Sequence, residues 1–328
     1  MSQYSAICCY FGQWPNHFCF WLRSCSYNEN IDFFLVSDIP IEGYVIPKNV
    51  HIVKKSFSQV QELVRSKFSE IKVSLDRPYK LCDFKTAYGY IFEDLFYGYK
   101  YWGFYDIDTI WGNIIKFIPE NNENHLVKIF PCGHLCFIRN IAPYDRIYEL
   151  VNDVSGKPCR DNMLGKNVAS WQVCFSSPDN YYYDESGGLE PWVESLLPQG
   201  KLSNEFLFHE ISFDNIFPSW FYGHFKSINF PQKSHFLTYS FEEGHLYRHY
   251  LSGFMHKQEE ISYIHASQRT FTVFINQCQP THFFCIYPDA IVPWRTWKTL
   301  PLLIYGRPRY LKHFVLRINR KILGFLQK

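Results

Sequence analysis

The chain has 328 residues, 47% of them hydrophobic and 20% charged, which is enough apolar mass for one large core or two cores sharing a cleft and argues against disorder. Its 33 Lys+Arg stand against 31 Asp+Glu, so the molecule lacks the basic field of a dedicated nucleic-acid binder. Aromatic residues make up 20% of the chain, as 31 Phe, 24 Tyr and 9 Trp; such rings fill cores, stack on sugar faces or sit at a membrane interface, and composition does not choose among these uses.

In chain order, Ser5 to Gly12 is a short apolar run stopped by glycine, read as a buried strand that opens into the Trp14-Pro15 loop. Residues 16–27 carry Phe18, Trp21, Leu22 and Cys25 at helical spacing, Ile31 to Asp38 is a second buried strand, Val50 to Val53 a third, and Ser58 to Phe68 a helix. Strand, helix, strand, strand, helix begins an α/β domain with a mostly parallel sheet. The apolar spacing then predicts a helix over 80–99, a strand Tyr101 to Tyr105, further strands over 126–140 and 170–183, and loops over 187–235. Ligands of open α/β sheets gather beyond the carboxyl ends of the strands. Gly12, Ser37 and Asp38 stand at such ends, either as turn residues or as nucleotide contacts.

The eleven cysteines mostly lie in apolar runs, with no C-x-x-C pair and an odd total, which fits buried reduced thiols. Cys132 and Cys136 flank His134, but no second ligand pair stands at zinc-site spacing. The N-terminal segment lacks a basic region followed by an unbroken apolar stretch, and no apolar run approaches the ~20 residues of a spanning helix. A cytoplasmic protein is expected, with attachment to the inner face of the plasma membrane as an option.

The strand Tyr101 to Tyr105 ends directly in Asp106-Ile107-Asp108. Two carboxylates at a strand's carboxyl end supply hard oxygen ligands where Mg²⁺ or Mn²⁺ bridges protein and diphosphate. Such a cation offsets charge growing on a leaving nucleoside diphosphate. Asp83 and Lys85 open the predicted 80–99 helix, where free N–H groups favour anions, although an Asp there is also an ordinary cap. Asp184 and Glu185, before Gly187-Gly188, form a carboxylate pair on a turn, and either suits a general base if the anomeric centre is inverted.

Trp102-Gly103-Phe104-Tyr105-Asp106-Ile107-Asp108-Thr109-Ile110-Trp111-Gly112, preceded by Lys80-Leu81-Cys82-Asp83-Phe84-Lys85 and Ala87-Tyr88-Gly89, resembles a group of bacterial capsule and lipopolysaccharide glycosyltransferases with the GT-A fold. Tyr10-Phe11-Gly12-Gln13-Trp14-Pro15, Gly133-His134-Leu135 with Arg139-Asn140, Tyr183-Asp184-Glu185, and Glu260 to His265 with Arg269 are similar to the same group, in order from about residue 5 to about 270. The resemblance implies a Rossmann-like mixed sheet flanked by helices and a nucleotide-diphosphate sugar as donor. It implies Asp106 and Asp108 as metal ligands with His265 as the distal one, and imidazole favours Mn²⁺ over Mg²⁺. It also implies that Tyr10, Gly12, Asp38, Asp83, Lys85, His134 and Arg269 face the donor, with Asp83 toward ribose or base, Lys85 and Arg269 toward phosphate, and His134 toward a sugar. The expected organisation is a catalytic domain over 1–290, nucleotide-binding to about 115 and acceptor-side from about 116, and a basic aromatic segment over 291–328. That segment holds seven Lys and Arg and no acid from Arg307 to Lys328, which suits either packing on the body or an anionic membrane bearing a lipid-linked glycan acceptor. Two other readings stay open at this point: a metal-dependent phosphohydrolase of nucleotide sugars, and a non-catalytic carbohydrate-binding protein.

Overall fold

A run of apolar residues without alternation makes a strand covered on both faces, and three such runs form the middle of the main sheet. The computed structural model describes residues 2–118, 126–130, 133–154, 170–181, 183, 189–203, 208–210, 238–252, 255–266, 271–274, 282–287 and 290–293. Within these residues the first half of the chain gives β1 (Tyr4–Cys9), α1 (Phe18–Cys25), β2 (Ile31–Ser37), β3 (Val50–Lys54), α2 (Phe57–Lys67), α3 (Tyr88–Ile91), β4 (Tyr101–Tyr105), β5 (Thr109–Trp111), β6 (Lys128–Ile129), β7 (Leu135–Arg139) and α4 (Ile147–Val154). There follow α5 (Trp171–Ser176), α6 (Leu189–Leu196), β8 (Leu202–Ser203), β9 (Phe208–Glu210), β10 (Thr238–Glu242), β11 (His245–Ser252), β12 (Met255–Glu260), β13 (Tyr263–His265), β14 (Thr272–Val273), β15 (Phe283–Tyr287) and β16 (Ala290–Pro293).

The main sheet has the order β3-β2-β1-β4-β7-β6-β8. Its first four strands are parallel, and β7 runs antiparallel to β4. The chain builds outward from β1 through β2 to β3 and then returns to place β4 on the other side of β1. That reversal opens a crevice beyond the carboxyl ends of β1 and β4, where Tyr10 and Asp106 follow their strands. A second sheet, β12-β11-β10-β15-β16-β14, and a three-stranded ladder, β5-β13-β9, complete the mixed α/β architecture.

Helix α1 is buried nearly all round, which a helix tolerates only between two cores. Phe18, Trp21, Leu22 and Cys25 join the core of the main sheet, whereas Cys19 and Phe20 join that of the second sheet. Helix α2 is amphipathic and starts with a capping box: Ser56 Oγ accepts from Gln59 N at 3.3 Å, and Gln59 Oε1 accepts from Ser56 N at 2.8 Å. Much of the aromatic content is spent inside, with Trp21, Trp102, Trp111, Tyr101, Tyr105 and Phe33 fully buried. Gly103 is required by close approach: a Cβ there would stand 2.0 Å from the Cys136 carbonyl oxygen of β7.

Two expected elements differ. The predicted helix over 80–99 is a 3-10 segment Pro78–Ala87, then α3, then a 3-10 turn Glu93–Phe96. A 3-10 helix eclipses residues three apart, and the ion pair Lys80–Asp83 at 2.6 Å uses that spacing. The strand expected over 170–183 begins instead as α5, whose Trp171, Cys174 and Phe175 are buried one helical turn apart. Strands were expected over 126–140, and the antiparallel pair β6 and β7 lies there. Residues 187–235, expected as loops, hold α6, β8 and β9; 211–237 and the basic segment from 294 onward lie outside the described residues. Strand β16 runs across the expected boundary at residue 290, so the second sheet takes in Ile291–Pro293. No helix among the described residues is long and apolar enough to cross a membrane.

Candidate metal centre

Asp106-Ile107-Asp108 is the corner at which the chain leaves the main sheet for the small ladder. Strand β4 delivers Asp106, whose N–H donates to the His134 carbonyl at 2.9 Å. Its carbonyl accepts from Thr109 Oγ1 at 2.6 Å, Ile107 is buried in the core, and the Asp108 carbonyl accepts from Ala266 N at 2.7 Å. With these three backbone groups hydrogen-bonded, both carboxylates leave the chain at one anchored bend. The ladder supplies the third group: β13 pairs antiparallel with β5, His265 opposite Thr109. One ligand atom each from Asp106, Asp108 and His265 lies within 4.8 Å of the others. Donors around one six-coordinate cation stand roughly 3–4.4 Å apart, given bonds of about 2.1–2.2 Å, so a small inward adjustment of these side chains would let them hold a single divalent ion. Two carboxylates and an imidazole suit Mn²⁺ better than the all-oxygen preference of Mg²⁺ or Ca²⁺.

The surroundings orient these groups. Lys85 Nζ donates to Asp106 Oδ1 at 2.7 Å, and the pair is partly open, with side-chain exposures of 9% and 24%. His265 Nε2 is 3.4 Å from Asp108 Oδ1. His134, at the start of β7, stacks on His265 with ring centroids 3.8 Å apart and 23° between planes. Burial, then His265 and Lys85, hold its pKa well below the ordinary histidine value, so it is neutral. Beneath the corner the Cys8 thiol is pushed well up, first by burial and then by Asp106, and is therefore protonated and unreactive.

Tyr10 is bound to the corner by a column of rings. Tyr10 stacks on Trp14 at 5.7 Å, Trp14 on Phe18 at 4.2 Å, Phe18 on Trp21 at 5.5 Å, and Trp21 on Tyr105 at 5.5 Å, the residue before Asp106. Burial, then the Asp108 charge, raise the Tyr10 phenol. Gly12 is exposed with φ +112°, a backbone state that disfavours other residues. Asp38 is exposed, just past the end of β2.

Asp83 is placed differently from its expected contact with ribose or base. Its carboxylate is 0% exposed, and it accepts from Lys80 Nζ at 2.6 Å, Tyr181 N at 2.9 Å and Tyr183 N at 3.0 Å. With both oxygens engaged inside the core, the residue ties the 181–183 chain to the 78–87 segment. Asp184, Glu185 and Arg269 lie outside the described residues, as does Cys132 of the His134 flank. The described cysteines, Cys136 among them, are free thiols.

His17 was not singled out in the sequence. It is fully buried at the N-terminal end of α1, where it makes no capping bond, and neither ring nitrogen has a hydrogen-bond partner. Burial lowers its pKa to about 4, with Asp108 and His265 as the charges it feels. The available signal was chemical: a histidine where Ser, Thr, Asp or Asn would cap the helix, in the loop that leaves the first strand.

No curated protein matches the chain. A model of a family of unknown function, DUF6625, matches residues 6–295, a stretch that carries β1, the Asp106–Asp108 corner and His265, and the chain belongs to that family.

Proposed function

We propose that this chain is a metal-dependent glycosyltransferase of the GT-A type, moving a sugar from a nucleotide-diphosphate sugar to a glycan acceptor of a surface polysaccharide. The observation that carries the reading is the convergence of Asp106, Asp108 and His265 at the corner after β4, beside the crevice where the strand order reverses. Asp106, Asp108 and His265 would hold Mn²⁺ or Mg²⁺, which when bound neutralises charge on the departing nucleoside diphosphate.

The other roles belong to the chain's own groups. Lys85 offers a fixed ammonium beside Asp106 for an anionic oxygen. Neutral His134 keeps the His265 ring in its plane. Tyr10, held by the ring column, and Gly12 and Asp38 at adjacent strand ends offer a surface for the nucleoside. Arg269 remains a phosphate contact, and Asp184 with Glu185 as second choice remains the base for an inverting transfer, all as parts of this proposal. The reaction is placed in the cytoplasm, with the lipid-linked acceptor at the membrane surface next to the basic segment.

Asp108→Ala tests the reading. Wild-type protein screened against nucleotide sugars with Mn²⁺ is expected to show a cognate donor by a raised melting temperature and sugar transfer to a glycan. EDTA and Asp108→Ala are both expected to abolish the transfer with the fold intact by circular dichroism. Undiminished turnover in Asp108→Ala would remove the proposal. Release of phosphate or nucleotide, regardless of acceptor, would replace it with the phosphohydrolase.

A further inference from the structure

A metal held by an imidazole lies in the plane of the ring, along the lone pair of one nitrogen, so a tilt of the ring breaks that bond and leaves carboxylate bonds intact. The second side-chain torsion of histidine is broad and two-fold, so the ring keeps its direction only where something packs on its face. On His265 that neighbour is His134, whose ring lies over it with centroids 3.8 Å apart and 23° between planes. His134 is 1% exposed and belongs to the ladder that delivers Asp106. Leu135, the next residue, stands opposite Tyr105 on β4, and the His134 carbonyl accepts from Asp106 N at 2.9 Å. Tyr263, two residues before His265 and therefore on the same face of β13, stands nearly perpendicular to the His134 ring at 6.3 Å. One residue of the main sheet thus anchors the backbone of one member of the metal set and covers the ring of another that arrives from the small ladder.

His134 lies outside the set whose ligand atoms fall within 4.8 Å of one another, so it braces the centre rather than ligating the ion. We propose that His134 is the positioning residue that sets the metal preference of the centre: through its ring face it keeps His265 directed at the cation and makes the imidazole a constant member of the donor set. Mg²⁺ is satisfied by carboxylates and water, whereas an imidazole nitrogen adds to the binding of a transition ion such as Mn²⁺. Removing the face therefore takes a bond from Mn²⁺ and little from Mg²⁺. The consequence is a change of selectivity. Looser packing would not produce it, because both ions would be weakened alike. Resting on the metal centre proposed above, this role needs no donor sugar.

The test measures Mn²⁺ affinity by electron paramagnetic resonance of the free ion and Mg²⁺ affinity by competition against it, with melting temperature in EDTA, for wild type, His134→Leu and His134→Phe. Wild type is expected to prefer Mn²⁺. His134→Leu, which fills the space without a flat face, is expected to lower the ratio of Mn²⁺ to Mg²⁺ affinity by about 10-fold. Pulsed resonance of the Mn²⁺ it still binds should lose the nitrogen coupling of a coordinated imidazole. His134→Phe, which keeps a flat ring, is expected to keep both the ratio and the coupling. A merely structural role would move the melting temperature and both affinities together, leaving the ratio unchanged. Should leucine not fit, His134→Met supplies another side chain without a ring. If wild type prefers Mn²⁺ and His134→Leu or His134→Met prefers it equally, the inference is overturned while the metal centre stands. The same holds if His134→Phe loses the preference too, or if wild type binds both ions alike. A wild-type chain that binds neither ion overturns both.

Discussion

One ten-residue segment, Pro78–Ala87, carries two Lys–Asp pairs that differ in one respect. Lys80–Asp83 is closed: both side chains are 0% exposed, and the ammonium also donates to the carbonyls of Cys174 and Asp179 at 2.7 and 2.5 Å. Lys85–Asp106 is open, with Asp106 24% exposed and its carboxylate shared with the metal set. The first pair has its bonding capacity consumed by the fold and holds three stretches of chain together. The second leaves Asp106 partly open to solvent. Chemical type does not separate the two pairs; burial does.

The largest effect is expected from opening the closed pair. Asp83→Leu leaves a buried ammonium without its counter-charge and releases the Tyr181 and Tyr183 amides, a loss of about 3–5 kcal/mol. Denaturant unfolding should show the midpoint falling accordingly. Replacing both partners, Lys80→Met with Asp83→Leu, removes the uncompensated charge and should recover part of that loss. If Asp83→Leu is as stable as wild type yet loses nucleotide affinity, Asp83 belongs to the ligand site after all and the contrast fails.

The open pair predicts the reverse balance. Asp106→Asn keeps shape and most hydrogen bonds, so stability should move by less than about 1 kcal/mol, as for other partly exposed pairs. Cation binding should suffer far more: loss of one of three ligands is expected to weaken Mn²⁺ by about 100-fold, or roughly 2.7 kcal/mol, read by the same resonance titration. A protein that unfolds on this substitution would make Asp106 another structural carboxylate.

How far these differences were legible in the sequence follows from what each residue depends on. Strands β1, β2 and β4 were readable because uninterrupted burial leaves uninterrupted apolar runs, and the aspartates ending β4 declared themselves by position. His265 was reached only through resemblance, since its partners on β5 are far away in the chain. The 80–99 stretch was misread because apolar spacings of three and four serve an α-helix and a 3-10 helix alike, and the choice lay with Lys80 and Asp83 pairing inside the core. In 170–183 the expected strand missed the helical clue, Ser170 ahead of Trp171, Cys174 and Phe175 on one helical face. Asp83 and Lys85 looked equivalent from local sequence, because exposure is a property of what packs above. His17 left one weak signal, a histidine where a capping residue would stand, and its lack of hydrogen-bond partners is visible only when the whole environment is in place.

The finest test of the contrast is a sign rather than a size. In the open pair the Lys85 ammonium, bonded to Asp106 Oδ1 at 2.7 Å, competes with a cation for that oxygen and repels it. Lys85→Met should therefore bind Mn²⁺ alone more tightly, by about five-fold or roughly 1 kcal/mol. With inorganic pyrophosphate present the sign should invert, because the same ammonium that opposes the cation attracts the anion, so the variant should gain less from pyrophosphate than wild type does. Titrating Mn²⁺ with and without pyrophosphate gives both numbers on one preparation. If Lys85→Met weakens the binding of Mn²⁺ alone, the lysine is holding Asp106 in place as Lys80 holds Asp83, and the two pairs on this segment differ in exposure only.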